Sequence, residues 1–171
     1  DTPAGRARKD WTTNPDPEVA RDAKYKIPHM TGDARRRALS KLTASTEYRK
    51  NPDTGENEFL LHRGMSGQEL GQHHDIDNSQ VNYPEDTRTS WTTNKKVAHR
   101  QAHYEDVPGK VVSAWVPESN LISSLRQYGG PTDYDKKLTS TEDEWIVGHD
   151  KPFEHHSINN SVNPRTIDDT V

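Results

Sequence analysis

An α+β fold, helices first and strands later, is what this sequence predicts. Two helical stretches lie before residue 50, short apolar runs rich in Val, Ile and Trp dominate after residue 58, and turn residues separate them. A length of 171 residues suggests one domain. Residues 17–158 form it, between an N-terminal arm (1–16) and a C-terminal tail (159–171) that are the parts most expected to be disordered.

The elements follow in order. Asp16 is placed to cap a helix that begins at Pro17 and runs through Lys26, because proline suits the first helical position. Asp33 to Ala44 is a second helix, with Ala34, Ala38, Leu39 and Leu42 on one face. Asn51-Pro52-Asp53-Thr54-Gly55 is a turn. A strand runs from Glu58 to Arg63, and Thr87 to Thr93 is another. Asn94 caps a helix carrying Val97, Ala98, Ala102 and Tyr104. Lys110 to Val116 is a strand ended by Pro117, followed by a long polar loop containing Gly129-Gly130-Pro131. Glu144 to Gly148 is the last strand expected. His73-His74-Asp75 and His155-His156 read as solvated loops.

Composition excludes several classes. Leu, Ile, Val and Phe number 26, about 15% of the chain, which is low for a folded domain. The net charge of -4 is too small for a charge-driven disordered chain, and four Trp and six Tyr add large buried area per residue. No apolar stretch approaches the roughly 20 residues of a membrane helix, so no membrane partner is expected. The start, Asp1 to Arg6, lacks the apolar core of a signal peptide and reads as an edge within a larger protein. With no cysteine there is no disulfide, thiolate nucleophile or cysteine-ligated metal. His99 and His103 share a helix face, but the string between them lacks the zinc-hydrolase glutamate and no third ligand is evident, so no metal is expected. Residues 1–50 are net basic and the remainder net acidic. Arg35-Arg36-Arg37 with Lys41 is then either the solvated face of a helix or a patch for a polyanion.

Three segments carry the chemistry: Leu60-Leu61-His62-Arg63-Gly64-Met65, Thr89-Ser90-Trp91-Thr92-Thr93-Asn94 and Glu142-Asp143-Glu144-Trp145-Ile146-Val147. Ser90 and Thr92 are two apart and share a strand face, with Trp91 on the buried side; Glu142 and Glu144 share a face in the same way. Arg63 offers a planar, permanently charged fork for phosphate oxygens. There is no dinucleotide-binding glycine fingerprint or P-loop.

In order and setting, over residues 58–150, this set resembles the mono-ADP-ribosyltransferases of the Arg-Ser-Glu type, a group that includes cholera-like and clostridial binary toxins and phage enzymes. Many relatives carry Ser-Thr-Ser where this chain has Ser-Trp-Thr. The resemblance implies two packed, mainly antiparallel sheets behind N-terminal helices, with NAD as co-substrate in the cleft between the sheets. It implies that Glu144 opposes positive charge on the ribose, that Arg63 holds the pyrophosphate, and that Gly64 allows close backbone approach to the nicotinamide amide. It implies further that Ser90 and Thr92 brace the glutamate and contact the cofactor. Glu142 orients the acceptor, its carboxylate favouring protein arginine, and Tyr128 and Tyr134 fall in the target-recognition loop between Arg126 and Thr141.

The implied activity is that of a glycosyltransferase toxin or effector, a monomer delivered into a target-cell cytoplasm from a larger secreted or phage protein, with an immunity or delivery partner. Rival readings are transfer to a nucleic acid base, NAD hydrolysis, and a non-catalytic virion or binding module that keeps the fold.

Overall fold

The computed structural model describes residues 6–7, 10–11, 14–66, 80–81, 87–103, 107–124 and 144–162. Helix α1 spans Pro17–Tyr25 and helix α2 Gly32–Ser45. Strands β1 (Tyr48–Lys50), β2 (Asn57–Met65), β3 (Gln80–Val81) and β4 (Arg88–Thr92) precede helix α3 (Lys95–Ala102). Strand β5 (Lys110–Pro117), a short 3₁₀ turn, β6 (Leu121–Ser124), β7 (Glu144–Gly148) and β8 (Phe153–Asn160) complete it. The architecture is α+β, and every described strand pairing is antiparallel.

Local chemistry explains the starts and turns. Asp16 Oδ1 accepts the Glu18 amide at 2.9 Å, capping α1 as its position before Pro17 predicts. The hairpin from β1 to β2 turns where expected. Asn51 Oδ1 takes the amides of Asp53 and Thr54, and Gly55 supplies a φ of 73°. Asn94 caps α3 by accepting the Lys96 amide at 3.0 Å.

The strands were expected as two packed sheets; they join instead in one eight-stranded ladder, β3-β8-β5-β2-β4-β7-β6, with β1 added against β2. Its two halves differ in how they are tied. β2 pairs with β5 over eight consecutive residues and β4 with β7 over five, whereas β2 meets β4 only at His62 opposite Thr92. Residues of both halves nonetheless share one buried cluster. Phe59, Leu61, Val112, Ala114 and Val116 come from one half, Trp91, Trp145 and Val147 from the other, and the apolar face of α2 packs against them. The Trp91 ring lies edge-on to Phe153 at 5.7 Å, across the halves. Its indole N–H is satisfied by Thr89 Oγ1 at 2.7 Å, so the ring can be buried without an orphan donor.

Further expectations are corrected. The polar loop after Pro117 holds β6, whose residues are all buried. His155 and His156 lie on β8, not in a solvated loop, and that strand runs past residue 158 into the expected tail. Beyond it, Ser161 and Val162 are pinned to Gly109 O at 2.9 Å and His99 Nδ1 at 3.1 Å. Within the expected arm, Ala7 is buried with Ile27, Ile122 and Ile146, and Trp11 packs beside it. Finally, Arg35 is no solvated cation: its two terminal nitrogens donate to the carbonyls of Leu121 and Glu118, both at 2.8 Å. Arg36 is paired with Asp33. Arg35 therefore fastens α2 to the 3₁₀ turn and to β6. Among the described residues no helix is long and apolar enough to cross a membrane.

Candidate active site

The joint between the sheet halves gathers the candidate residues. Glu144 opens β7 directly opposite Thr92, and Ser90 lies opposite Ile146, so Ser90 and Glu144 are diagonal neighbours across the β4–β7 pair. That diagonal is within side-chain reach: Ser90 Oγ donates to Glu144 Oε2 at 3.0 Å. Arg63, near the end of β2, donates from Nη1 to the Ser90 carbonyl at 3.0 Å, which carries its guanidinium to the serine. Glu144 is 9% exposed. Three residues separated by up to 81 positions in the sequence are thus brought together.

Thr92 and Gly64 have other visible employment. Thr92 Oγ1 accepts the Asn94 amide at 3.0 Å and so shapes the entry into α3. At Gly64 a Cβ would stand 1.9 Å from the Ala98 carbonyl oxygen and 2.7 Å from the Ala102 nitrogen. The close backbone approach that this glycine permits is made by the chain's own helix, which the sequence reading did not anticipate. Trp91 lies on the buried face, as expected, at 1% exposure. Glu142, Tyr128 and Tyr134 fall outside the described residues, as do His73, His74 and Asp75.

Two groups near the joint carried no sequence signal. Gln101, on the last turn of α3, donates from Nε2 to Glu144 Oε1 at 2.9 Å, so both oxygens of that carboxylate hold a donor. His62 is buried, and its Nδ1 lies 2.6 Å from Ser113 Oγ. Burial pushes the His62 imidazole down to about 4, helped by the positive charge of Lys95 and by His156 and His99. The ring is therefore neutral at neutral pH and serves as a hydrogen-bonding strut under the joint. The His99 and His103 rings turn to the C-terminal segment: His99 Nδ1 accepts the Val162 amide and His103 Nδ1 lies 3.3 Å from Ser161 Oγ. Among the described residues no group of three or more His, Cys, Asp or Glu is placed to hold a metal.

A cleft of about 410 Å³ opens at the other end of the β4–β7 pair, where Arg88 faces Gly148. Tyr25, His29, Asn120, Ile122 and Lys151 help to line it, and Arg63, Ser90 and Glu144 do not. What marks the joint is the polar convergence of Arg63, Ser90 and Glu144. No family model matches the chain, and neither a curated protein nor a solved structure does.

Proposed function

We propose that this chain is an NAD-dependent mono-ADP-ribosyltransferase with protein arginine as the acceptor. The observation that carries this reading is the hydrogen-bonded line from Arg63 to the Ser90 backbone and from the Ser90 hydroxyl to Glu144. An arginine suited to phosphate, a serine and a carboxylate, in the order of the resemblance, meet at one point. In this reading Arg63 binds the NAD pyrophosphate, and the Glu144 carboxylate lies against the ribose.

The reaction breaks the bond between the ribose anomeric carbon and the nicotinamide nitrogen, whose pair leaves with neutral nicotinamide. Positive charge builds on the ribose, as in glycoside cleavage, and an oriented carboxylate opposes it. A guanidine nitrogen of the acceptor then bonds to the anomeric carbon and gives up a proton, which Glu142 accepts. The delivery of such an enzyme as a toxin or effector belongs to the same proposal.

The test is to incubate the protein with NAD and a mixed protein extract, then seek ADP-ribosyl-arginine by mass spectrometry while following nicotinamide release. Glu144→Gln is expected to slow nicotinamide release about 100- to 1,000-fold, the scale for one well-placed electrostatic group. Glu142→Gln is expected to abolish arginine modification and spare NAD hydrolysis. Unchanged nicotinamide release in Glu144→Gln overturns the assignment of Glu144, and an adduct on RNA or DNA overturns the arginine acceptor.

A further inference from the structure

We propose that Gln101 is a positioning residue that fixes the plane of the Glu144 carboxylate. Its kinetic consequence rests on the ADP-ribosyltransferase reading, whereas the contact itself does not.

The argument begins with freedom. The last torsion of a glutamate side chain is broad, so one donor on one oxygen leaves the carboxylate able to swing. Ser90 holds Oε2 from strand β4, and Gln101 holds Oε1 from helix α3. Two donors from two different elements, one on each oxygen, define the plane of the group. A misplacement of about 1 Å at a reacting centre can cost on the order of a hundredfold in rate, so such a brace has kinetic weight.

The brace is only as firm as the helix that carries it. Helix α3 is seated against β2 by the bare backbone of Gly64, with Ala98 and Ala102 fully buried beneath it. Gln101 is one residue before Ala102, so its reach to Glu144 is set by that seat. Its own side chain is exposed, and replacing it removes little packing. No motif of the resemblance includes this position.

Two variants test the inference. Gln101→Leu keeps helix propensity and deletes the donor; Gln101→Glu keeps the shape and sets a second carboxylate against Glu144. Nicotinamide release is followed with NAD as the probe. Gln101→Leu is expected to lower kcat at least tenfold with KM changed less than twofold, and Gln101→Glu to lower it further.

An NMR measurement runs beside the kinetics and needs no turnover. The Gln101 side-chain amide resonances are expected to move in Glu144→Gln and to leave other side-chain amides in place. A kcat within twofold of the wild type in both variants overturns the inference, as does a Gln101 amide blind to Glu144→Gln. If the wild type releases no nicotinamide, the functional reading fails, and the amide response alone decides whether Gln101 holds the carboxylate.

Discussion

Gly64→Ala is the sharpest perturbation that this structure offers, because the added methyl meets only backbone. It would stand 1.9 Å from the Ala98 carbonyl oxygen, 2.7 Å from the Ala102 nitrogen and 2.9 Å from the Ala98 carbonyl carbon. Contacts under 3.0 Å must open, so helix α3 has to retreat from β2 by at least about 1.1 Å, and no side chain can rotate to spare it. Ala98, Ala102 and Val111, all fully buried, lose contact as it goes. Overpacking of this kind costs up to about 3 kcal/mol. For a domain of this size that corresponds to a fall in Tm of roughly 6–12 °C.

The same retreat carries Gln101 away from Glu144, whose 2.9 Å bond would stretch past hydrogen-bonding range. Thermal and urea unfolding of the variant, with Gly55→Ala as comparison, measures the effect. Gly55 has nothing within 4 Å of its would-be Cβ and only the strain of its φ to lose, so its variant should fall by about 1 kcal/mol. A Tm loss below 2 °C for Gly64→Ala, or one no larger than that of Gly55→Ala, would refute the seat of α3.

Two further outcomes follow from groups beneath and behind the site. The unfolded chain protonates His62 near 6.5 and the folded chain only near about 4, so the unfolded state binds more protons between those values. Stability is then flat above about pH 6.5, falls as pH drops toward about 4 with a slope approaching 1.4 kcal/mol per unit, and levels off below; His99, also lowered by burial, adds in the same direction. Urea midpoints from pH 7 to 4 should show a shallower decline in His62→Gln than in the wild type, and parallel curves would contradict the assignment. Arg35→Lys should cost about 2 kcal/mol in thermal unfolding, because lysine cannot reproduce a fork on two carbonyls whose charge-assisted bonds are worth about 1.5–3 kcal/mol each. Arg37→Lys should be near neutral, and equal losses in the two variants would remove the role given to Arg35.

What could be read in the sequence depended on how much each element says by itself. Lys110 to Val116 and Glu144 to Gly148 were legible because Val, Ile and Trp crowd into a few residues, and Asn94 because an amide before a helical run has one common use. β6 was not. Leu121-Ile122-Ser123-Ser124 is buried at every position, so no alternation marks it, and its two serines read as loop. β8 was missed for the opposite reason. Its string Phe153-Glu154-His155-His156-Ser157-Ile158-Asn159-Asn160 is mostly polar, and what makes it a strand is the neighbouring ladder of β5.

The candidate site divides in the same way. Arg63, Ser90 and Glu144 were named from short motifs, but only the strand register makes them neighbours. Gln101 belongs to no motif. Its contact depends on the depth at which a helix sits, and that depth follows from a missing side chain on another element. Arg35 shows the converse, one member of a surface charge run whose own partners are backbone carbonyls.

The single residue pair that joins β2 to β4 has a consequence for how such a protein can diversify. Where strands pair over their full length, the angle between them is fixed by the twist of the ladder, and changing it means rewriting many residues. Here one rung joins the halves, and the angle is left to side chains that cross between them: the Arg63–Ser90 bond, the Trp91–Phe153 contact and the buried cluster that both halves share. Point substitutions at those positions can open or narrow the angle while every strand keeps its partners. The joint is thus an adjustable corner, whose opening can change without a new fold.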